Sequence, residues 1–253
     1  MKILITSGGT KVPIDPVRDI TNMSNGTFGS KIATEFLLAG HEVTFFTAKR
    51  GRTPFTFNED IFDKERGNTI SDLQKLFEFR DRNGTRYKQY DFRTFDDYAG
   101  GLPKIIELTN PDIILLAAAV SDYITEPQTS KMKSEHNRYI PFEPAEKIIS
   151  KIKGWCPAAT LVGFKLLVGA TNDELYDAAR DSIFFNRCEM VVANEWWKLK
   201  GGNHEVMIVE AADDYLSALP NTTTCTIYNE DQAKRVMEHA VKMRNTPLKS
   251  RES

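Results

Sequence analysis

Lys2-Ile3-Leu4-Ile5-Thr6, running straight into Ser7-Gly8-Gly9-Thr10, decides the fold. The first five residues have the apolar, β-branched make-up of a strand buried on both faces. The glycines then turn the chain. A long polar excursion follows from Asp15 to Gly29, and a helical pattern starts only at Ser30-Lys31-Ile32-Ala33. A strand, a glycine turn and a helix start are the parts of a phosphate or nucleotide site. The excursion is too long for an ordinary dinucleotide turn. The turn is neither Gly-x-Gly-x-x-Gly nor a Walker loop, since no Gly-Lys-Ser/Thr follows. Taken alone it fits a plain turn as well as a phosphate cradle.

Working outward, strand and helix patterns alternate. Expected strands are residues 2–6, 41–47, 86–92, 112–119, 161–164 and 190–194, with a later β pair at 203–209 and 223–228. Expected helices are 29–39, 69–77, 95–109, 173–185 and 230–244. Asp112 to Ala119 is apolar throughout after its first residue, as in a central parallel strand. This order predicts an α/β, Rossmann-like doubly wound, mainly parallel sheet with helices on both faces, plus a small C-terminal β element. Residues 48–68 read as irregular and the tail from about 245 as polar and frayed. Without a repeat or a linker, residues 1–253 read as one domain.

Composition narrows the function. The 253 residues carry 41% hydrophobic and 27% charged side chains with a net charge of −2, so no overall positive field attracts nucleic acid. No apolar run approaches the roughly 18 residues of a membrane span. Cys156, Cys188 and Cys225 are scattered, and with no signal peptide after Lys2 they fit a reducing cytoplasm, not a disulfide scaffold or a zinc site.

Five segments carry chemistry. In the excursion, Pro13 and Pro16 stiffen the chain, Arg18 can fork onto phosphate or carboxylate, and Asn22, Ser24 and Asn25 offer neutral hydrogen-bonding groups. Ala117-Ala118-Ala119-Val120-Ser121-Asp122-Tyr123 ends the central strand with small residues against which a ligand can lie, and with Asp122 as either a ligand contact or a turn aspartate. Ser130-Lys131-Met132-Lys133-Ser134 carries two lysines that can close on phosphates, though their spacing alone reads as solvated. Phe164 stacks on a base or belongs to the core. Asn194 reads as a cap for the next turn, and Trp196 and Trp197 as packing residues.

In order along the chain, Ile5-Thr6-Ser7-Gly8-Gly9-Thr10, Pro13-Ile14-Asp15-Pro16-Val17-Arg18, Thr21-Asn22-Met23-Ser24-Asn25-Gly26, Ala117 to Tyr123, Lys131-Met132-Lys133, Val162-Gly163-Phe164-Lys165 and Ala193-Asn194 resemble the phosphopantothenate–cysteine ligases of coenzyme A biosynthesis. The resemblance spans residues 5 to about 195. It implies that a nucleoside triphosphate, with CTP favoured over ATP, activates the carboxylate of 4'-phosphopantothenate with loss of pyrophosphate. The amine of L-cysteine then attacks the acyl nucleotide. Mg2+ is implied, and in the stand-alone form no FMN. A homodimer is implied as well.

By motif, Asn22, Lys131 and Arg18 carry over as catalytic. Gly8, Gly9, Ser24, Asp122, Phe164 and Lys133 carry over as nucleotide contacts. Ala118 and Ala119 join Asn22 on the substrate side, and no metal-binding residue is assigned. The sequence departs from the family at Ser182 and Asn186, where bifunctional members have lysines. Arg180 and Arg187 are candidate replacements. It departs again at Leu166-Leu167-Val168, which lacks an acidic residue, and residues 50–92 match no motif. Two other readings fit parts of the sequence. An NADP-dependent oxidoreductase fits the basic strand end Thr47-Ala48-Lys49-Arg50, but none of the eight tyrosines has a lysine four residues on. A non-catalytic binding subunit on the same fold has no use for Asn22 and Lys131.

Overall fold

A computed structural model of the protein describes residues 1–56, 70–133, 139–200, 205–211 and 223–246, with the backbone alone for residues 70–73 and 200. Strand β1 (Lys2–Ser7) is buried after its first residue, as its sequence requires. It leads into an antiparallel hairpin, β2 (Lys11–Asp15) and β3 (Arg18–Thr21), and then helix α1 (Thr27–Leu38). Strand β4 (Glu42–Ala48), helix α2 (Ile70–Asn83), strand β5 (Tyr87–Phe92), helix α3 (Phe95–Thr109) and strand β6 (Ile113–Leu116) follow. The short strands β7 (Tyr123–Ile124) and β8 (Glu143–Pro144) pair with each other, ahead of the short helix α4 (Ile152–Trp155). The chain closes with β9 (Thr160–Leu167), α5 (Asn172–Asn186), β10 (Met190–Glu195), α6 (Trp196–Lys200), β11 (Val206–Ala211), β12 (Thr223–Tyr228) and α7 (Gln232–Asn245).

Eight strands form one sheet in the order β12-β11-β10-β9-β6-β1-β4-β5. The six from β5 to β10 are parallel. The C-terminal pair β11 and β12 extends the same sheet in the antiparallel sense. From β1 the chain winds outward through β4 and β5, then returns to lay β6 on the other side of β1. The order therefore reverses between β1 and β6, where a doubly wound sheet opens a crevice at its strand C-termini.

Each face is sealed by its own apolar layer. Ile32, Phe36 and Leu37 of α1 pack with Val236, Ala240 and Met243 of α7 on one side. Tyr98, Leu102 and Ile106 of α3 pack with Leu175, Ala179 and Ile183 of α5 on the other. At the far edge, Glu210 of β11 ties down α7. It accepts from His239 Nδ1 at 2.6 Å and Lys242 Nζ at 2.9 Å. Burial opposes its charge, but the bonds from His239 and Lys242 outweigh burial and hold its carboxyl down at about 2.

Four expectations need correction. The excursion from Asp15 onward is not all loop, because Arg18–Thr21 forms β3 against Lys11–Asp15. Its residues are mostly exposed or half-buried, so the apolar alternation that marks a strand is missing. The central strand ends at Leu116 instead of Ala119, and β9 runs on to Leu167. Helix α2 continues six residues past Phe77, to Asn83. Most of the stretch at 48–68 expected to be irregular, the first residues of the β strand expected from 203, and nearly all of the tail lie outside the described residues.

Candidate active site at the crevice between β1 and β6

Backbone groups stitch together the two loops that leave β1 and β6. Ala119 N donates to Gly8 O at 2.8 Å, and Thr10 N donates to Ala119 O at 3.1 Å. Ala118 N donates to Thr6 Oγ1 at 3.2 Å, and Ser121 N to Thr10 Oγ1 at 2.9 Å. Past Leu116 the regular ladder gives way to a side-chain bond from Ala118 N to Thr6 and an isolated parallel bridge between Ala119 and Gly9. Asn22 Nδ2 completes the seam, donating to Ala119 O at 2.9 Å. An amide nitrogen carries two N–H groups, so the exposed Asn22 keeps one for another partner.

Two glycines fit by close approach. Gly8 has φ +79°, and a Cβ there would sit 2.6 Å from Ala48 Cβ. At Gly29 a Cβ would sit 2.4 Å from Ser7 Oγ, the hydroxyl that donates to Gly26 O at 3.1 Å. The first turn of α1 is thereby pressed onto the end of β1. Gly8 and Gly9 are themselves buried and do not line the open space beyond. They shape the loop that carries Asn22.

A cavity of about 1440 Å³ opens over this seam. That exceeds the roughly 300–1,000 Å³ of a one-ligand pocket and leaves room for two substrates. Asn22, Ser24, Ala118, Ala119, Asp122 and Phe164 all line it. Phe164 meets Phe28 of α1 edge to face at 6.2 Å between ring centres, giving one apolar wall. Asn194 lines it too, with Nδ2 donating to Glu205 O at 3.1 Å. The cap on the next turn comes from Glu195, which accepts from Lys198 N at 2.9 Å, and not from Asn194. Trp196 faces the cavity, whereas Trp197 is largely exposed.

Lysines from four separate elements edge the space: Lys31, Lys147, Lys165 and Lys234. Lys147 pairs with Asp122. Strand β9 alternates, with Val162 and Phe164 on the α1 side and Leu161 and Leu167 on the α5 side. Lys165 therefore shares the α5 side with Ser182 and Asn186, which also line the cavity and bond to each other at 3.2 Å. Lys165 has no ion-pair partner among the described residues. Arg180 and Arg187 are not lining residues, and Arg180 pairs with Asp177 at 3.1 Å. Sequence reasoning missed these lysines as a group. The alternation through Phe164-Lys165 was the available signal.

Arg18, Lys131 and Lys133 also lie outside the cavity lining. Arg18 Nε pairs with Asp15 Oδ2 at 3.0 Å, and its guanidinium donates to Met132 O at 2.6 Å. Among the described residues no three His, Cys, Asp or Glu side chains converge as a metal cage.

The sheet order and the crevice define a doubly wound α/β protein with an open, lysine-rimmed cavity at its switch point. The chain belongs to the family described as the DNA/pantothenate metabolism flavoprotein C-terminal domain, which it matches over residues 1–59 and 104–242. It is 30% identical over 243 residues, 96% of its length, to the coenzyme A biosynthesis bifunctional protein CoaBC of Thermococcus kodakarensis, and spans 51% of that relative. It is 28% identical over 229 residues to the phosphopantothenate–cysteine ligase of Homo sapiens, covering 76% of this chain and 71% of that one. The crystal structure of the DNA/pantothenate metabolism flavoprotein from Streptococcus pneumoniae superposes with a TM-score of 0.73 at 25% identity, covering 96% and 99% of the two chains.

Proposed function

We propose that this chain joins 4'-phosphopantothenate to L-cysteine, using a nucleoside triphosphate, in coenzyme A biosynthesis. The observation that carries the reading is Asn22. Its amide is fixed by Ala119 O at the switch point and opens onto a space sized for two ligands. The family and the name of the human relative support the choice of substrates.

In the first step a phosphopantothenate carboxylate oxygen attacks the α-phosphorus and pyrophosphate leaves. In the second, the cysteine nitrogen attacks the acyl carbon, the nucleoside monophosphate leaves and the amine loses a proton. The spare Asn22 N–H bonds the carbonyl oxygen as negative charge gathers on it. Phe164 and Phe28 supply an apolar wall for the base. Lys165 offsets the triphosphate charge on the α5 side. Mg2+ would add charge neutralisation there. Asp122 and Asp181 are carboxylates that line the cavity and could help hold it. CTP is the favoured nucleotide, and the setting is the cytoplasm. The working form is a homodimer, and full turnover by a species that light scattering finds monomeric would contradict that.

The test is product analysis by mass spectrometry after incubation with 4'-phosphopantothenate, L-cysteine, Mg2+ and CTP or ATP. The expected products are the cysteine amide and nucleoside monophosphate in equal amounts. Amide with nucleoside diphosphate would replace the acyl nucleotide by an acyl phosphate. No amide with either nucleotide would leave a binding role or a redox role.

A further inference from the structure

We propose that Asp15 is a positioning residue, which with Arg18 clamps the peptide of Met132 and so fixes the backbone that carries Lys131 and Lys133. Residues 125–133 form no regular secondary structure. The hairpin of β2 and β3 holds them instead. Gln128 N donates to Ile14 O at 2.8 Å. Four residues on, both polar backbone groups of Met132 are captured by a single ion pair. Met132 N donates to Asp15 Oδ2 at 3.1 Å, and Arg18 donates to Met132 O at 2.6 Å. The pair closes on itself through Arg18 Nε and Asp15 Oδ2 at 3.0 Å. Two side chains thus reproduce what a neighbouring strand would give, one acceptor and one donor for one residue.

The carboxylate is built for this role. Its side chain is fully buried, and its other oxygen accepts from Val17 N at 2.9 Å. A residue with only one oxygen acceptor leaves an amide or the guanidinium unpaired. The lysines on either side of Met132 are exposed, so the clamp fixes their Cα positions and leaves their side chains free to reach a ligand. Arg18 and Asp15 lie outside the cavity lining and act on the reaction through this segment.

The consequence for catalysis rests on the ligase reading and on Lys131 acting in it. Four variants test it: D15N, R18K, which keeps the charge but loses the fork, K131A, and D15N combined with K131A. D15N and R18K are each expected to lower kcat by about tenfold to a hundredfold, with KM for the triphosphate little changed. D15N in the K131A background is expected to add almost nothing, because both changes remove the same contribution. Trypsin cleavage after Lys131 and Lys133, followed by mass spectrometry on the intact protein, is expected to speed up in D15N and R18K.

Multiplying losses in the double variant would overturn positioning through Lys131. Unchanged cleavage in both single variants would overturn the clamp itself. Wild-type turnover by K131A would remove Lys131 from the reaction while leaving the clamp to the cleavage result. R18K carries the test if D15N fails to fold.

Discussion

The two flanks of the cavity are built in opposite ways. On the Asn22 flank, backbone amides and carbonyls of two loops bond one another, and a buried hydroxyl sits where any side chain at Gly29 would intrude. On the lysine flank, Lys165 of β9 stands on the α5 side, unpaired among the described residues, and Lys147 arrives from the segment after β8. The first flank has one geometry fixed before any ligand arrives, as an oxyanion-type donor requires. The second, on the proposed ligase reading, would follow a polyphosphate as it binds and leaves. The difference teaches where turnover and where affinity are set. Changes on the first flank should strike kcat, and changes on the second should strike KM.

The largest effect is expected at Asn22. Asn22→Ala removes the donor and should lower kcat by about 10²–10³-fold with the fold intact, as circular dichroism and steady-state rates would report. A loss confined to KM would erase the distinction between the flanks. Next comes Gly29→Ala, whose new Cβ must push Ser7 Oγ aside. It should destabilise by about 1–3 kcal/mol in urea unfolding and lower kcat by about tenfold or more through the displaced loop. Unchanged stability would mean that the close approach is not tight.

A smaller effect is expected on the other flank. Lys165→Ala should raise KM for the triphosphate by about tenfold, with kcat and the KM for phosphopantothenate near wild type. A rise in the phosphopantothenate KM instead would move Lys165 to the phosphate of that substrate.

The smallest effect on turnover is expected far from both flanks, at Glu210→Gln. Its cost is in stability and depends on pH. The folded carboxyl is held at about 2, below its ordinary 4.5, so the charged form stabilises the fold. That contribution is complete above the ordinary value and disappears as pH falls through about 2. Wild type should therefore exceed the variant in Tm at pH 6, and the gap should narrow by pH 3. A gap that widens on acidification would contradict the assignment.

The same contrast explains what was legible in the sequence. The Asn22 flank could be read because its parts are contiguous: Ser7 to Thr10, Thr21 to Gly26 and Ala117 to Asp122 each bring several contacts in one run. The parallel sheet was legible for a similar reason, since Ile3 to Ile5 and Ile113 to Leu116 need no partner to reveal burial. The lysines were not legible, because Lys31, Lys147, Lys165 and Lys234 have no fixed spacing and reach the cavity rim from four separate elements. Nor was the β2–β3 hairpin, whose bulge between Pro13 and Asp15 and exposed third strand hide the period-two pattern. Arg18 carries over by motif as catalytic and as an organiser of its loop, but its partners, Asp15 and the backbone of Met132, cannot be read from that motif, since Met132 lies 114 residues away in sequence.

The most direct test of the central claim, that this crevice activates a carboxylate with a nucleoside triphosphate, is pyrophosphate release measured with and without 4'-phosphopantothenate, for CTP and for ATP, in the presence of Mg2+ and cysteine. The account predicts release that depends on phosphopantothenate, is faster with CTP and falls sharply in Asn22→Ala. Release that ignores phosphopantothenate, or none with either nucleotide, would contradict it.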